Sequence, residues 1–151
     1  MIKIICVGKL KEKYLKDACC EYLKRLSKYT KVEIVEVADS NIDNEVISLE
    51  KERDFILKNI REKDYVITLE IEGIELTSIE FASKLDKIMI SNSNIVFIIG
   101  GSYGIHSEIK SRSNFKFSFS KMTFPHQLFR VMLLEQIFRG YKILNNERYH
   151  K

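Results

Sequence analysis

The chain has 151 residues, 45% hydrophobic and 30% charged, with 25 Lys and Arg against 21 Asp and Glu. That length and balance suit one soluble globular domain spanning 1–151 with a core of its own, and exclude a disordered, collagen-like or disulfide-scaffolded chain. The net charge of +4 is too small to signal nucleic-acid binding by itself. Its distribution says more. Lysines and Arg25 crowd the first thirty or so positions, the acids gather around Asp39 to Glu52, and the chain closes on Arg148 and Lys151. A basic N-terminal face of this kind serves equally as a solvated helix surface or a phosphate-binding one.

In chain order, residues 2–7 are apolar and β-branched and predict a strand ending at Gly8. Residues 10–28 carry Leu10, Tyr14, Leu15, Ala18, Tyr22 and Leu26 at helical spacing. A short strand follows over 32–37, a polar loop over 39–44 and a charged helix over 45–60. A third strand is predicted over 65–71, turned at Gly73. Thr77-Ser78-Ile79-Glu80 fits a capping box, in which a hydroxyl and a carboxylate three residues on exchange bonds with free backbone amides. The helix it opens reaches residue 90. Residues 95–99 are continuously apolar, as in a central parallel strand covered on both faces. A short helix over 106–111 and a strand over 115–119 come next. Pro125, the only proline, suits the first position of a final helix that ends near 144. This alternation predicts an α/β fold with a mostly parallel sheet and helices on both faces.

Cys6, Cys19 and Cys20 make no metal spacing and no even disulfide framework, and read as small buried or half-buried side chains of a reducing compartment. His106, His126 and His150 are too scattered for a metal site. No signal-peptide pattern or membrane-spanning run is visible, so the expected location is cytoplasmic.

Functional residues concentrate in the last third. Gly100-Gly101-Ser102-Tyr103-Gly104 follows the buried strand at what should be its carboxyl end, where glycine either lets a ligand approach the backbone or serves only a tight turn. The loop matches neither the dinucleotide fingerprint nor a P-loop. Ser118-Phe119-Ser120-Lys121-Met122-Thr123-Phe124 then leads into the final helix with hydroxyls, a lysine and apolar side chains. Two strand-end loops meeting a helix N-terminus form the usual nucleotide pocket of α/β proteins. Each of Phe119, Met122 and Phe124 also suits a place in the core. On the final helix Arg130 shares the apolar arc of Leu133, Ile137 and Tyr141 and needs a partner, protein or RNA. Glu135, Arg139 and Lys142 make the polar stripe opposite. Leu128, Phe129, Val131, Met132, Leu134 and Phe138 leave the helix apolar over most of its circumference, more than one sheet face covers, which predicts a second subunit. Glu70 and Glu72 share a strand face and are expected to be solvated.

At these residues the chain resembles the SPOUT superfamily of methyltransferases and, within it, the ribosomal RNA large subunit methyltransferase H family. The resemblance covers essentially the whole length. It is carried by Val7-Gly8-Lys9-Leu10-Lys11, Ile67-Thr68-Leu69-Glu70, Phe97-Ile98-Ile99-Gly100-Gly101-Ser102, Gly104, Phe119-Ser120-Lys121-Met122-Thr123-Phe124-Pro125-His126-Gln127, Arg130, Glu135-Gln136 and Tyr149-His150-Lys151. It implies a C-terminal trefoil knot, a rare exception to the rule against threaded chains, and a homodimer built on the final helix. It implies S-adenosylmethionine as cofactor, bound by Leu69, Gly100, Phe119, Ser120, Lys121, Met122, Thr123 and Phe124, with no metal. The implied substrate is a pseudouridine of 23S rRNA at the ribosomal subunit interface, methylated at N3 on the assembled ribosome. Tyr149 and His150 are the local candidates for handling the N3 proton, with Arg130, Arg148 and Lys151 on the RNA. Other classes left open are a SPOUT enzyme for another RNA, a ligand sensor without chemistry, and a ribosome factor without a cofactor.

Overall fold

The computed structural model describes residues 1–40 and 42–151, so the polar loop expected over 39–44 includes one position, Asn41, outside the described residues. The elements in order are β1 (Ile2–Val7), α1 (Lys13–Leu26), β2 (Val32–Val37), α2 (Glu45–Lys58), β3 (Tyr65–Glu75), α3 (Ser78–Ser91), β4 (Ile95–Ile99), α4 (Ser107–Arg112), β5 (Phe115–Ser118) and α5 (His126–Leu144). They form a five-stranded sheet in the order β2-β1-β4-β3-β5, with every strand pairing parallel.

The twofold period of the strands sorts their side chains onto two faces. Ile2, Ile4 and Cys6 of β1 join Ile95, Phe97 and Ile99 of β4 in a core closed by α1, α3 and α5. The alternate residues, Ile5 and Val7 with Val96 and Ile98, pack with Ile56 of α2 and Ile109 of α4. All of β4 is buried, as its unbroken apolar run requires. Cys6 and Cys19 lie inside, but Cys20 is exposed because its neighbour in α1 takes the inward arc. Among the described residues no helix is long and apolar enough to cross a membrane.

Three further expectations change. The third strand does not turn at Gly73. It runs on to Glu75, and its pairing with β5 slips, so that Leu69 and Ile74 both lie opposite Phe117 and residues 70–73 bulge out between them. Gly73 is needed because β5 passes so close that a Cβ would lie 2.8 Å from the Lys116 carbonyl. Pro125 is the residue before the final helix, with extended backbone, and His126 is the first inside it. The third concerns α5. Leu134 and Phe138 are 0% and 5% exposed within one chain, because α1 and α3 flank the helix and extend the cover of the sheet. Gly140 allows the close approach: a Cβ there would touch Leu85 and Ala82 of α3. The apolar surface that α5 leaves uncovered is narrower than expected, chiefly exposed Leu128 and half-buried Val131 and Met132.

Candidate functional site

A cavity of about 280 Å³ opens at the carboxyl ends of β3, β4 and β5. Its walls are the bulge of β3, the loop after β4, and the segment that joins β5 to α5. Leu69, Gly100, Phe119, Ser120, Met122, Thr123 and Phe124 all line it, so seven of the eight residues matched to cofactor binding converge on one space. Lys121 is exposed and does not line it.

Local chemistry explains the shape of each wall. After β4 the chain closes a tight loop in which the Gly104 N–H donates to the Gly101 carbonyl at 3.0 Å. Gly104 has φ +81°, and a Cβ on Gly100 would come within 2.6 Å of the Gly104 oxygen, so both positions require glycine. In the next wall Ser120 holds its own turn: its hydroxyl accepts from the Met122 N–H at 3.1 Å, and its carbonyl accepts from the Ser118 hydroxyl at 3.0 Å. Phe119 packs between Phe117 and Phe129 with ring centroids at 5.2 and 4.7 Å, and Phe124 faces Phe129. The aromatic residues therefore act both as core and as cavity wall. Met122 is 73% exposed at the rim.

Sequence reasoning missed several lining residues. The β3 bulge turns Glu70 and Glu72 to the cavity, and Lys110 of α4 and His126 join them. Glu70 is not solvated as expected: its side chain is 3% exposed, accepts from the Thr68 hydroxyl at 2.7 Å, and lies 3.4 Å from the Lys110 ammonium. Nothing in the strand's composition marks the slip in register that buries it. Glu52 of α2 was also missed. It is 4% exposed, accepts weakly from Ser48, and lies 3.4 Å from where a Gly101 Cβ would stand, so it supports the glycine loop from beneath.

The remaining predicted residues lie apart from the cavity. Arg130 is 3% exposed, with Nη1 donating to Glu36 and Nη2 to the Gly8 carbonyl, each at 3.2 Å. Its Nε has no hydrogen-bond partner among the described residues. Here it ties α5 to the ends of β1 and β2 and offers no open face to a phosphate; the sequence showed that it needed a partner but not which one. Burial pushes the neighbouring Cys6 thiol up to about 12, so that thiol stays neutral. Arg148 and Lys151 are exposed.

Tyr149 is anchored. Its ring meets Phe138 edge-on at 5.0 Å, the Arg139 guanidinium lies over it at 4.7 Å, and its hydroxyl donates to Glu135 at 3.2 Å. Glu135 and Arg139 are thus the docking site of the C-terminal tail as well as a polar stripe. Burial first, then Tyr22 and Glu135, push the Tyr149 phenol up to about 12. In this arrangement it is a hydrogen-bond donor and not a phenolate base. His150 Nδ1 lies 3.1 Å from Arg139 Nη1. A guanidinium only donates, so Nδ1 accepts and a neutral His150 carries its proton on Nε2. Among the described residues no group of three or more His, Cys, Asp or Glu could hold a metal ion.

A parallel α/β sheet with a glycine-bordered, aromatic-lined cavity at its carboxyl edge is the layout of an α/β protein whose candidate ligand site lies at the strand ends. Comparison with known proteins narrows the class. A family model described as "Predicted SPOUT methyltransferase" matches residues 1–150. Proteins named ribosomal RNA large subunit methyltransferase H from Clostridium tetani and Clostridium botulinum are 58% and 52% identical, each with 99% of both chains covered. The chain belongs to the SPOUT methyltransferase family, with relatives that carry the large-subunit methyltransferase H name.

Proposed function

We propose that this protein is an S-adenosylmethionine-dependent rRNA methyltransferase, a single SPOUT domain over 1–151, that methylates N3 of a pseudouridine in 23S rRNA at the subunit interface of the assembled ribosome. The observation that carries the reading is the convergence of three strand-end segments on one cavity, in a chain 58% identical to a large-subunit methyltransferase H. The cavity fits the cofactor. Gly100 lets the loop after β4 close tightly on Gly104 and Ile105 at the cavity's edge, and Phe119, Phe124 and Phe129 offer apolar faces to a purine. The loop after β4 and the segment from β5 to α5 line one cavity, and that closeness supports a trefoil knot in this segment.

Leu69, Gly100, Phe119, Ser120, Met122, Thr123 and Phe124 are the proposed cofactor residues, with Lys121 at the rim. When bound, S-adenosylmethionine supplies an electrophilic methyl group on a sulfonium sulfur. The chain's task is alignment and exclusion of water, which the aromatic walls provide. The N3 proton of the base has to be accepted, and Tyr149 and His150 are the proposed residues: once the tail leaves Arg139 and Glu135, His150 Nδ1 is free as acceptor and the Tyr149 hydroxyl as an oriented donor that holds the base. Neither lines the cavity of its own chain. A homodimer whose tail serves the partner's cavity removes that mismatch, with the part-exposed strip of α5 as interface. Arg148, Lys151 and the basic surface of α1 hold RNA phosphates, while Arg130 acts through α5. The proposed setting is the cytoplasm.

The test is transfer of labelled methyl groups to assembled ribosomes and, separately, to free 23S rRNA from cells lacking the modification. Transfer to ribosomes at N3 of a pseudouridine is expected, with little to free RNA. Binding of S-adenosylmethionine without transfer to either would make the protein a sensor, and failure to bind it would leave an RNA-binding factor.

A further inference from the structure

Four titratable side chains line the cavity, and three of them, Glu70, Glu72 and Lys110, are one connected cluster. Lys110 Nζ lies 3.4 Å from Glu70 and 3.2 Å from Glu72. Glu70 is fixed: its side chain is 3% exposed and its other oxygen accepts from Thr68. Glu72 is on the open side, with its side chain 67% exposed. An ammonium has three donors, so Lys110 keeps one after meeting both carboxylates. Two carboxylates against one ammonium also leave the cluster with an excess negative charge beside the cavity.

The apolar and charged walls come from different parts of the fold. Aromatic rings are supplied by β5, the segment after it and α5; the charges are supplied by the β3 bulge and α4. The cofactor divides in the same way. Its adenine is flat and apolar-faced, and its amino-acid end carries one ammonium and one carboxylate. We propose that Lys110 and Glu72 grip the amino-acid end of the cofactor, Lys110 donating to its carboxylate and Glu72 accepting from its ammonium, while Glu70 holds Lys110 in position. This rests on the cofactor reading above and assigns residues outside the matched cofactor set. The Lys110–Glu72 contact observed here is then a resident pair that the zwitterion inserts into, exchanging one charge-assisted bond for two. Glu72 is held below the usual carboxylate range by a backbone hydrogen bond and by Lys110, so it is ionised and able to accept. The cluster selects ligands with an amino-acid tail over nucleosides that lack one.

The experiment is titration calorimetry of the full chain with S-adenosylmethionine, S-adenosylhomocysteine and methylthioadenosine. The last has the adenosine and sulfur but no amino-acid end. For Lys110→Met and Glu72→Gln, affinity for the first two should fall by about tenfold, the scale of one charge-assisted bond, with methylthioadenosine binding unchanged. Glu72→Gln alters an exposed side chain, so it decides the matter even if Lys110→Met fails to fold. Equal losses on all three ligands would mean that the cluster merely holds α4 against β3, and would overturn the proposal. So would no loss on any of them. A wild-type chain that binds none of the three sinks the cofactor reading itself, a result distinct from either.

Discussion

At the scale of single residues, the site depends on atoms that are absent as much as on those present. Gly100 is the clearest case, since an added Cβ would lie 2.6 Å from a backbone oxygen that cannot swing away. Overpacking of this kind costs about 1–3 kcal/mol, so Gly100→Ala should displace the loop and weaken S-adenosylmethionine binding by about tenfold or more in calorimetry. Glu52 beneath the loop makes a second prediction. Burial first, then Asp39, raise its carboxyl above the ordinary 4.5, against the Ser48 hydrogen bond. A carboxyl whose folded value is raised destabilises the fold when ionised. The penalty is absent below the unfolded value, grows as pH rises toward the folded value, and is constant above it. Glu52→Gln should therefore melt higher than the parent at about pH 7 and equal to it at about pH 4. A gain that persists unchanged in acid would show that packing, not ionisation, is responsible. The glycine loop was legible in the sequence as a tight turn after an apolar strand, but the glycines alone did not say whether the turn bordered a cavity. Glu52 was not legible, since a glutamate in a charged helix looks the same whether it faces water or a loop far away in sequence.

At the scale of elements, local rules worked where the signal is local. The capping box at Thr77 is present in both halves: the Thr77 hydroxyl accepts from the Glu80 N–H at 3.1 Å and the Glu80 carboxylate accepts from the Thr77 N–H at 2.7 Å. Thr77→Ala should cost about 1 kcal/mol, read as a drop of a few degrees in Tm, with cofactor affinity unchanged because α3 contributes nothing to the cavity. The β3 bulge was not legible. Pairing slips by five positions where Gly73 admits β5 so closely, and that approach belongs to two segments more than 40 residues apart. Bulges beside sites commonly re-aim side chains in this way. This one gives the cavity its charges. Arg130 shows the intermediate case: helical projection put it on the apolar face, and only the fold supplied Glu36 and Gly8 as partners.

At the scale of the whole molecule, the C-terminal tail is the part with most to test. Tyr149 is held on α5 by Glu135, Phe138 and Arg139, so the tail has a resting place within its own chain. Removing residues 149–151 should leave cofactor binding intact and lower methyl transfer to ribosomes by about a hundredfold, the usual worth of a positioned proton acceptor. Transfer at the parental rate would end the tail's proposed role. The sequence by itself determined the order of strands and helices, the glycine loop, the capped helix and the family, because these depend on near neighbours or on long matching motifs. Tertiary structure decided which strands meet, where β3 bulges, and which charges face the cavity. It also decided that Arg130 is buried and Tyr149 docked. Those outcomes rest on contacts between segments distant in the chain, where burial and pairing, not composition, choose each side chain's surroundings.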